Sequence, residues 1–194
     1  MEPERDFSVS LGRRRLYSLW HEPGQEMASG WWGTLRLSKW QEPYARHPLI
    51  RPTLNEMIAR RLGQTRPVPK MSPLVEEMLT SRIRRECLCA ALGLISLQCP
   101  DYLVLRRFRT ALSPTLDSRA LDQLIALMPL DSIYQARVAP EDLLRTALRS
   151  GVAWLSSSAD PALVVCRLLW DPAGGTMSTF AAPEAVLEKL LRWL

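Results

Sequence analysis

From Ser72 onward the apolar residues recur every three or four positions, the spacing of helices that bury one face. On a period of about 3.6 residues, the stretch from Pro73 to about Gln98 sets Val75, Leu79, Ile83, Ala90, Leu94 and Leu97 on one face, with Glu76, Thr80 and Arg84 off its edge. Its second half, Cys87 to Leu97, is apolar all round, which predicts a helix enclosed by others at the centre of the domain. Glu141 to Ser157 gathers Leu144, Ala147, Leu148, Gly151, Val152 and Leu155 on one side and turns Arg145, Thr146 and Arg149 away. A glycine within that packing face predicts a close approach by a second helix. Tyr102 to Leu112 buries Val104, Phe108, Ala111 and Leu112 and leaves Arg106, Arg107 and Arg109 outward. Pro183 to Leu194 aligns Leu187, Leu190, Leu191 and Leu194, with Glu188 and Arg192 spaced to pair.

Prolines punctuate this pattern where helices would begin: Pro73, Pro100, Pro114, Pro140, Pro161 and Pro183. Proline suits the first helical position because its missing N–H would be unpaired there in any case. Residues 1–71 have a different texture. Trp20, Trp31, Trp32 and Trp40 lie among prolines that forbid a long helix. The alternation at Phe7, Val9 and Leu11 fits a short strand, and Arg13 to Trp20 fits a short helix. Thr53-Leu-Asn-Glu56 reads as a capping box opening a helix that stops at Gly63. With Gln64 to Met71 as linker, the expected fold is mainly α. A Trp/Pro-rich N-terminal subdomain over 1–71, with short helices and that one candidate strand, precedes a compact helical domain over 72–194.

A length of 194 residues with 47% hydrophobic positions is enough for one packed core and excludes disorder, collagen and a disulfide scaffold. The longest stretch without a charge, Cys87 to Pro100, is too short to span a bilayer. The start, Met1-Glu-Pro-Glu-Arg-Asp6, lacks the features of a signal peptide, so a cytoplasmic protein is expected. Cys87, Cys89, Cys99 and Cys166 sit in apolar contexts that suit buried free thiols.

No catalytic, cofactor or metal constellation emerges, so no enzyme is expected. Cys87-x-Cys89 within a helix points its thiols to different faces, unlike zinc ligands. His21 and His47 belong to no recognisable motif, and Gly174-Gly175 lacks the lysine and following helix of a phosphate loop. Asp117, Asp122 and Asp131 are scattered among turns and helix starts.

Charge is more telling. The net charge is +5, and 22 of the 25 basic residues are arginine, clustered at 13–15, 60–61, 82–85 and 106–109. Arginine's planar fork suits carboxylate or phosphate partners, so an arginine face could meet an acidic protein or a nucleic acid, or simply be solvated. The modest net charge and the absence of a nucleic-acid-binding motif favour the protein partner. Trp154 and Trp170 read as core residues. Trp31-Trp32, between Gly30 and Gly33, suits either an interface or the core of a small subdomain.

The helical half resembles the SctK family, cytoplasmic sorting-platform accessory proteins of type III secretion systems. The resemblance lies in Leu88-Cys-Ala-Ala-Leu-Gly-Leu-Ile-Ser-Leu97, in Leu105-Arg-Arg-Phe108, and in the stretch from Leu121 to Leu130. It continues in Ser150-Gly-Val-Ala-Trp-Leu155 and Cys166-Arg-Leu-Leu-Trp170, and it covers about residues 85–172; His47-Pro48 is similar to an early element of some members. It implies a non-enzymatic adaptor with no cofactor, peripheral to the inner membrane at the base of the injectisome. Its implied partners are the SctD-type inner-membrane ring and the SctQ-type pods and, through them, SctL and the SctN ATPase, with no nucleic acid and no membrane insertion. Arg82, Arg85, Arg106, Arg107 and Arg109 are the expected docking surface, and Trp31 and Trp32 the N-terminal region's contribution. The alternatives are a basic helical nucleic-acid-binding regulator and a secretion chaperone.

Overall fold

The apolar stretch of the central helix organises the molecule. In the computed structural model, which describes residues 10–64, 67–128, 135–173 and 182–194, α7 (Arg82–Leu97) buries every residue from Leu88 to Ile95. Its most extensive partner is α11 (Pro140–Leu155). At their crossing Gly93 and Gly151 bring the two backbones together with no room for a side chain between them. The remaining faces of α7 are covered by α6 (Pro73–Thr80), α10 (Ser118–Leu127) and α13 (Pro183–Trp193). Between them, α8 (Asp101–Val104) packs on α10, and α9 (Arg106–Leu112) packs on α11.

The N-terminal half is built of shorter pieces, as its prolines dictate. They are α1 (Leu11–His21), α2 (Pro23–Glu26), α3 (Gly30–Thr34), α4 (Gln41–Arg46) and α5 (Arg51–Leu62). α1 packs against α6 and against α12 (Pro161–Cys166), and α2 against α5. The Ala28 amide donates to Leu168 O at 2.8 Å, and Gly30 N donates to Asp171 Oδ1 at 3.0 Å. Buried side chains from both halves form one continuous apolar cluster. The described residues contain thirteen α-helices and no strand. Of the candidate strand, Phe7 and Val9 lie outside the described residues, and Leu11 begins α1.

Several expected boundaries move, each for a local reason. The helix from Pro73 to Gln98 is two helices, broken at Ser81. Its extended backbone lets its Oγ accept from Arg84 N at 3.2 Å, so the serine caps α7 instead of continuing α6. The break resets the helical phase, and Ile83 is 81% exposed. Pro73, Pro140, Pro161 and Pro183 do open helices. Pro100 stands one residue earlier, as the residue before α8, and Pro114 lies in a turn. α10 begins instead after Asp117, whose carboxylate accepts from Ala120 N at 2.7 Å. α5 opens at Arg51, ahead of the expected capping box, so Thr53 lies within it; Arg51 reaches back to Tyr44 O at 3.0 Å and Ala45 O at 2.9 Å. It ends as expected at Gly63, with φ of 76°, a left-handed conformation that glycine adopts without strain.

Candidate interaction surfaces

α9 and its neighbours present the arginine face. Arg106 and Arg107 are exposed, and the Arg107 guanidinium lies 4.8 Å from the ring centre of Phe108, itself buried. Arg109 is turned to structural use. Its guanidinium donates to Leu103 O at 2.9 Å and Ser118 O at 3.3 Å and pairs with Asp122 at 2.9 Å, tying α8 to the start of α10. Val104, expected in the buried arc, is exposed, because the chain breaks at Leu105 between α8 and α9. Tyr102 takes the inner position: its ring meets Phe108 edge to face at 5.0 Å, and its hydroxyl accepts from Arg137 N and Val138 N, both at 3.0 Å. Val104 and Leu105, both exposed, directly precede Arg106 and Arg107, so the face is both basic and apolar.

The other candidates divide between surface and interior. Arg82 is exposed and donates to Glu86 Oε1 at 2.8 Å, a hydrogen bond that raises the guanidinium's pKa. Arg85, one turn on, is buried: it donates to Met78 O at 3.2 Å and lies 5.5 Å from the Trp170 ring centre. Desolvation lowers its pKa, and its Nε has no partner. Trp31 and Trp32 are likewise core residues. Trp31 Nε1 donates to Trp170 O at 2.8 Å beneath the Arg167 guanidinium, and Trp32 tilts against Tyr44 at 5.2 Å. Of the seven expected docking residues, Arg82, Arg106 and Arg107 are therefore the exposed ones, Arg109 is half-buried, and Arg85, Trp31 and Trp32 are internal. Arg82 opens α7 beside α6, whereas the main neighbours of α9 are α8 and α11.

Other polar residues hold the scaffold. Asn55 Oδ1, buried, accepts from the Tyr44 hydroxyl at 3.0 Å and Gly24 N at 3.2 Å, joining α2, α4 and α5. Burial raises the Tyr44 phenol's pKa. Arg15 Nε pairs with Glu26 and its guanidinium donates to Leu79 O, each at 3.1 Å, locking α1 to α2 and α6. His21 is exposed, its ring tilted against that of Tyr17 with centres 4.4 Å apart. His47 ends α4. Asp131 and Gly174-Gly175 lie outside the described residues. Among the described residues no group of three or more His, Cys, Asp or Glu is placed to hold a metal, and no helix is long and apolar enough to cross a membrane.

These features define a helical protein whose candidate sites are charged and apolar surfaces. Over residues 14–170 the chain matches the family described as a type III secretion system subunit, and it belongs to that family. The match begins in α1 and ends at Trp170, so it takes in the tryptophan-rich region that the motif resemblance, confined to about 85–172, did not reach. No curated protein and no solved structure matches the chain.

Proposed function

We propose that the chain is a non-enzymatic, SctK-like adaptor of the type III sorting platform, linking SctQ-type pods to the cytoplasmic part of the SctD-type inner-membrane ring. The observation that carries this reading is membership of a secretion-subunit family over residues 14–170, together with the order of SctK-like motifs that the same span contains. It sits in the cytoplasm against the inner membrane at the base of the injectisome, with contact to SctL and the SctN ATPase only through SctQ. Residues 1–71 and 72–194 act as two units that share a core, the second carrying the arginine face of Arg106 and Arg107. Arg82 forms a separate basic point at the start of α7.

An adaptor binds two partners at once. Purified full-length chain, mixed with a SctQ-type protein and the cytoplasmic domain of the cognate SctD-type protein, should elute with both in one size-exclusion peak. Separate binary complexes that exclude each other would contradict the bridging role. The Arg106→Glu/Arg107→Glu double variant should lose one partner and keep the other.

A further inference from the structure

We propose that the groove between α1 and the non-helical segment Val68–Met71 is a docking site for an acidic amphipathic segment of a partner protein. The site arises from how the arginine triplet at the start of α1 is shared out. Arg15 points inward to Glu26 and Leu79, whereas Arg13 and Arg14 are exposed on the other side of the helix. Pro67 and Pro69 keep the facing segment out of any helix, so Val68, Pro69 and Met71 form an apolar wall opposite Leu16 and Tyr17, with Lys70 at the rim. The cavity holds about 790 Å³, and among the described residues no acidic side chain lines it.

Two comparisons make the partner's chemistry specific. Among the described residues the side chains of Arg13, Arg14 and Lys70 form no ion pair; Glu26 is held by Arg15, Glu76 of α6 packs against Gly12, and Glu22 and Glu56 line the neighbouring cavity across Tyr17. That second cavity mixes both signs with Arg51 and Arg60, whereas the charged residues described in the first are all cationic. The first cavity's apolar walls call for apolar side chains, which a nucleic-acid backbone lacks. A helix carrying apolar residues at i, i+3, i+4 and i+7, flanked by carboxylates, meets both demands. The lining residues of α1, Arg13 to Tyr17, rise about 6 Å along the helix axis and so face little more than one turn of such a helix. This surface uses none of the α9 arginines, so it stands or falls apart from the platform reading.

The probe is a fluorescent peptide of about 14 residues with leucine at helical spacing and glutamate elsewhere. Its control has the same composition with the leucines shuffled off that spacing. Anisotropy with the full chain should show binding to the patterned peptide that weakens with added salt. Arg13→Glu/Arg14→Glu should weaken it by about tenfold or more, as should Val68→Asp, while Arg106→Glu/Arg107→Glu leaves it unchanged. Acidic residues in the first turn of α1 suit the helix dipole, so the first variant should keep its circular dichroism. Equal binding of the shuffled peptide, or unchanged binding by both groove variants, overturns the proposal. So does preferential binding to anionic phosphatidylglycerol vesicles, or sedimentation showing that a second copy fills the groove.

Discussion

Gly93 and Gly151 face each other across the α7–α11 crossing. A Cβ on Gly93 would stand 1.7 Å from Ala147 O, and one on Gly151 would stand 2.0 Å from Cys89 O. Both obstacles are backbone, which cannot rotate aside as a side chain can. Either Gly→Ala substitution must therefore push the two central helices apart. The cost expected is about 3 kcal/mol, at or beyond the upper end of ordinary overpacking, against the gain of a few tenths to 1 kcal/mol that alanine brings to an unstrained helix position. A urea midpoint that stayed at the wild-type value for Gly93→Ala would show that the crossing is looser than described.

Glu184 fastens α13 to the turn before α12. One carboxylate oxygen accepts from the Ser158 hydroxyl, from Ala159 N at 2.7 Å and from Asp160 N at 3.3 Å. Burial pushes this carboxyl's pKa up, but the hydrogen bonds outweigh it and hold it below the usual range. A depressed folded pKa means that the contribution is complete above the unfolded value, about 4.3, and is lost as pH falls through the folded one. Glu184→Gln should cost about 1–2 kcal/mol at pH 7, and its gap from wild type should narrow on acidification towards pH 3. A gap that widened on acidification would contradict this sign.

The arginines separate into those that fold the protein and those that face outward. Arg85→Glu would bury an unpaired carboxylate and should cost about 3 kcal/mol or more. Arg85→Met, of similar volume and with no polar head, should stay within about 1.5 kcal/mol of wild type. Arg106→Glu and Arg107→Glu should shift stability by no more than about 0.5 kcal/mol while weakening partner binding. Thermal melts of the four variants beside one binding assay test the division. Lost binding by Arg85→Met at unchanged stability would return Arg85 to the docking surface.

Thiol reactivity should follow burial. Cys89, Cys99 and Cys166 are buried and Cys87 is half-buried, all four free; desolvation raises each thiol's pKa, that of Cys166 to about 12. With a disulfide reagent at about pH 8, near a free thiol's pKa, the folded chain should react slowly and first at Cys87. All four should titrate promptly in denaturant. Fast labelling of Cys166 in the folded chain would contradict the packing of α12.

The central helices were legible because their signal is redundant: an all-apolar stretch such as Leu88–Leu94 has no exposed solution, and a glycine in a packing face has few other uses. The break at Ser81 was not legible, since serine's hydroxyl caps one helix by the same chemistry it would use within another. That single residue decides which arginines of α7 are exposed, so the error passed from fold to site: Arg82 and Arg85 look alike in sequence, and only the reset phase turns Arg85 inward. The fate of Trp31 lay further off still, in a carbonyl 139 positions away at Trp170. A tryptophan between glycines carries no local mark of whether such a partner exists. The arginine face fared better, because Phe108 fixes which side of α9 is buried and leaves Arg106 and Arg107 outward; the clamp made by Arg109 depends on Asp122 of another helix.

The adaptor role is tested most directly where the secretion system is assembled. The tagged chain, recovered after crosslinking from cells making a type III system, with and without nuclease, should bring down SctQ-, SctL- and SctD-like proteins in both samples. Recovery that disappears with nuclease, or a complex with a secreted effector and no platform component, would contradict it.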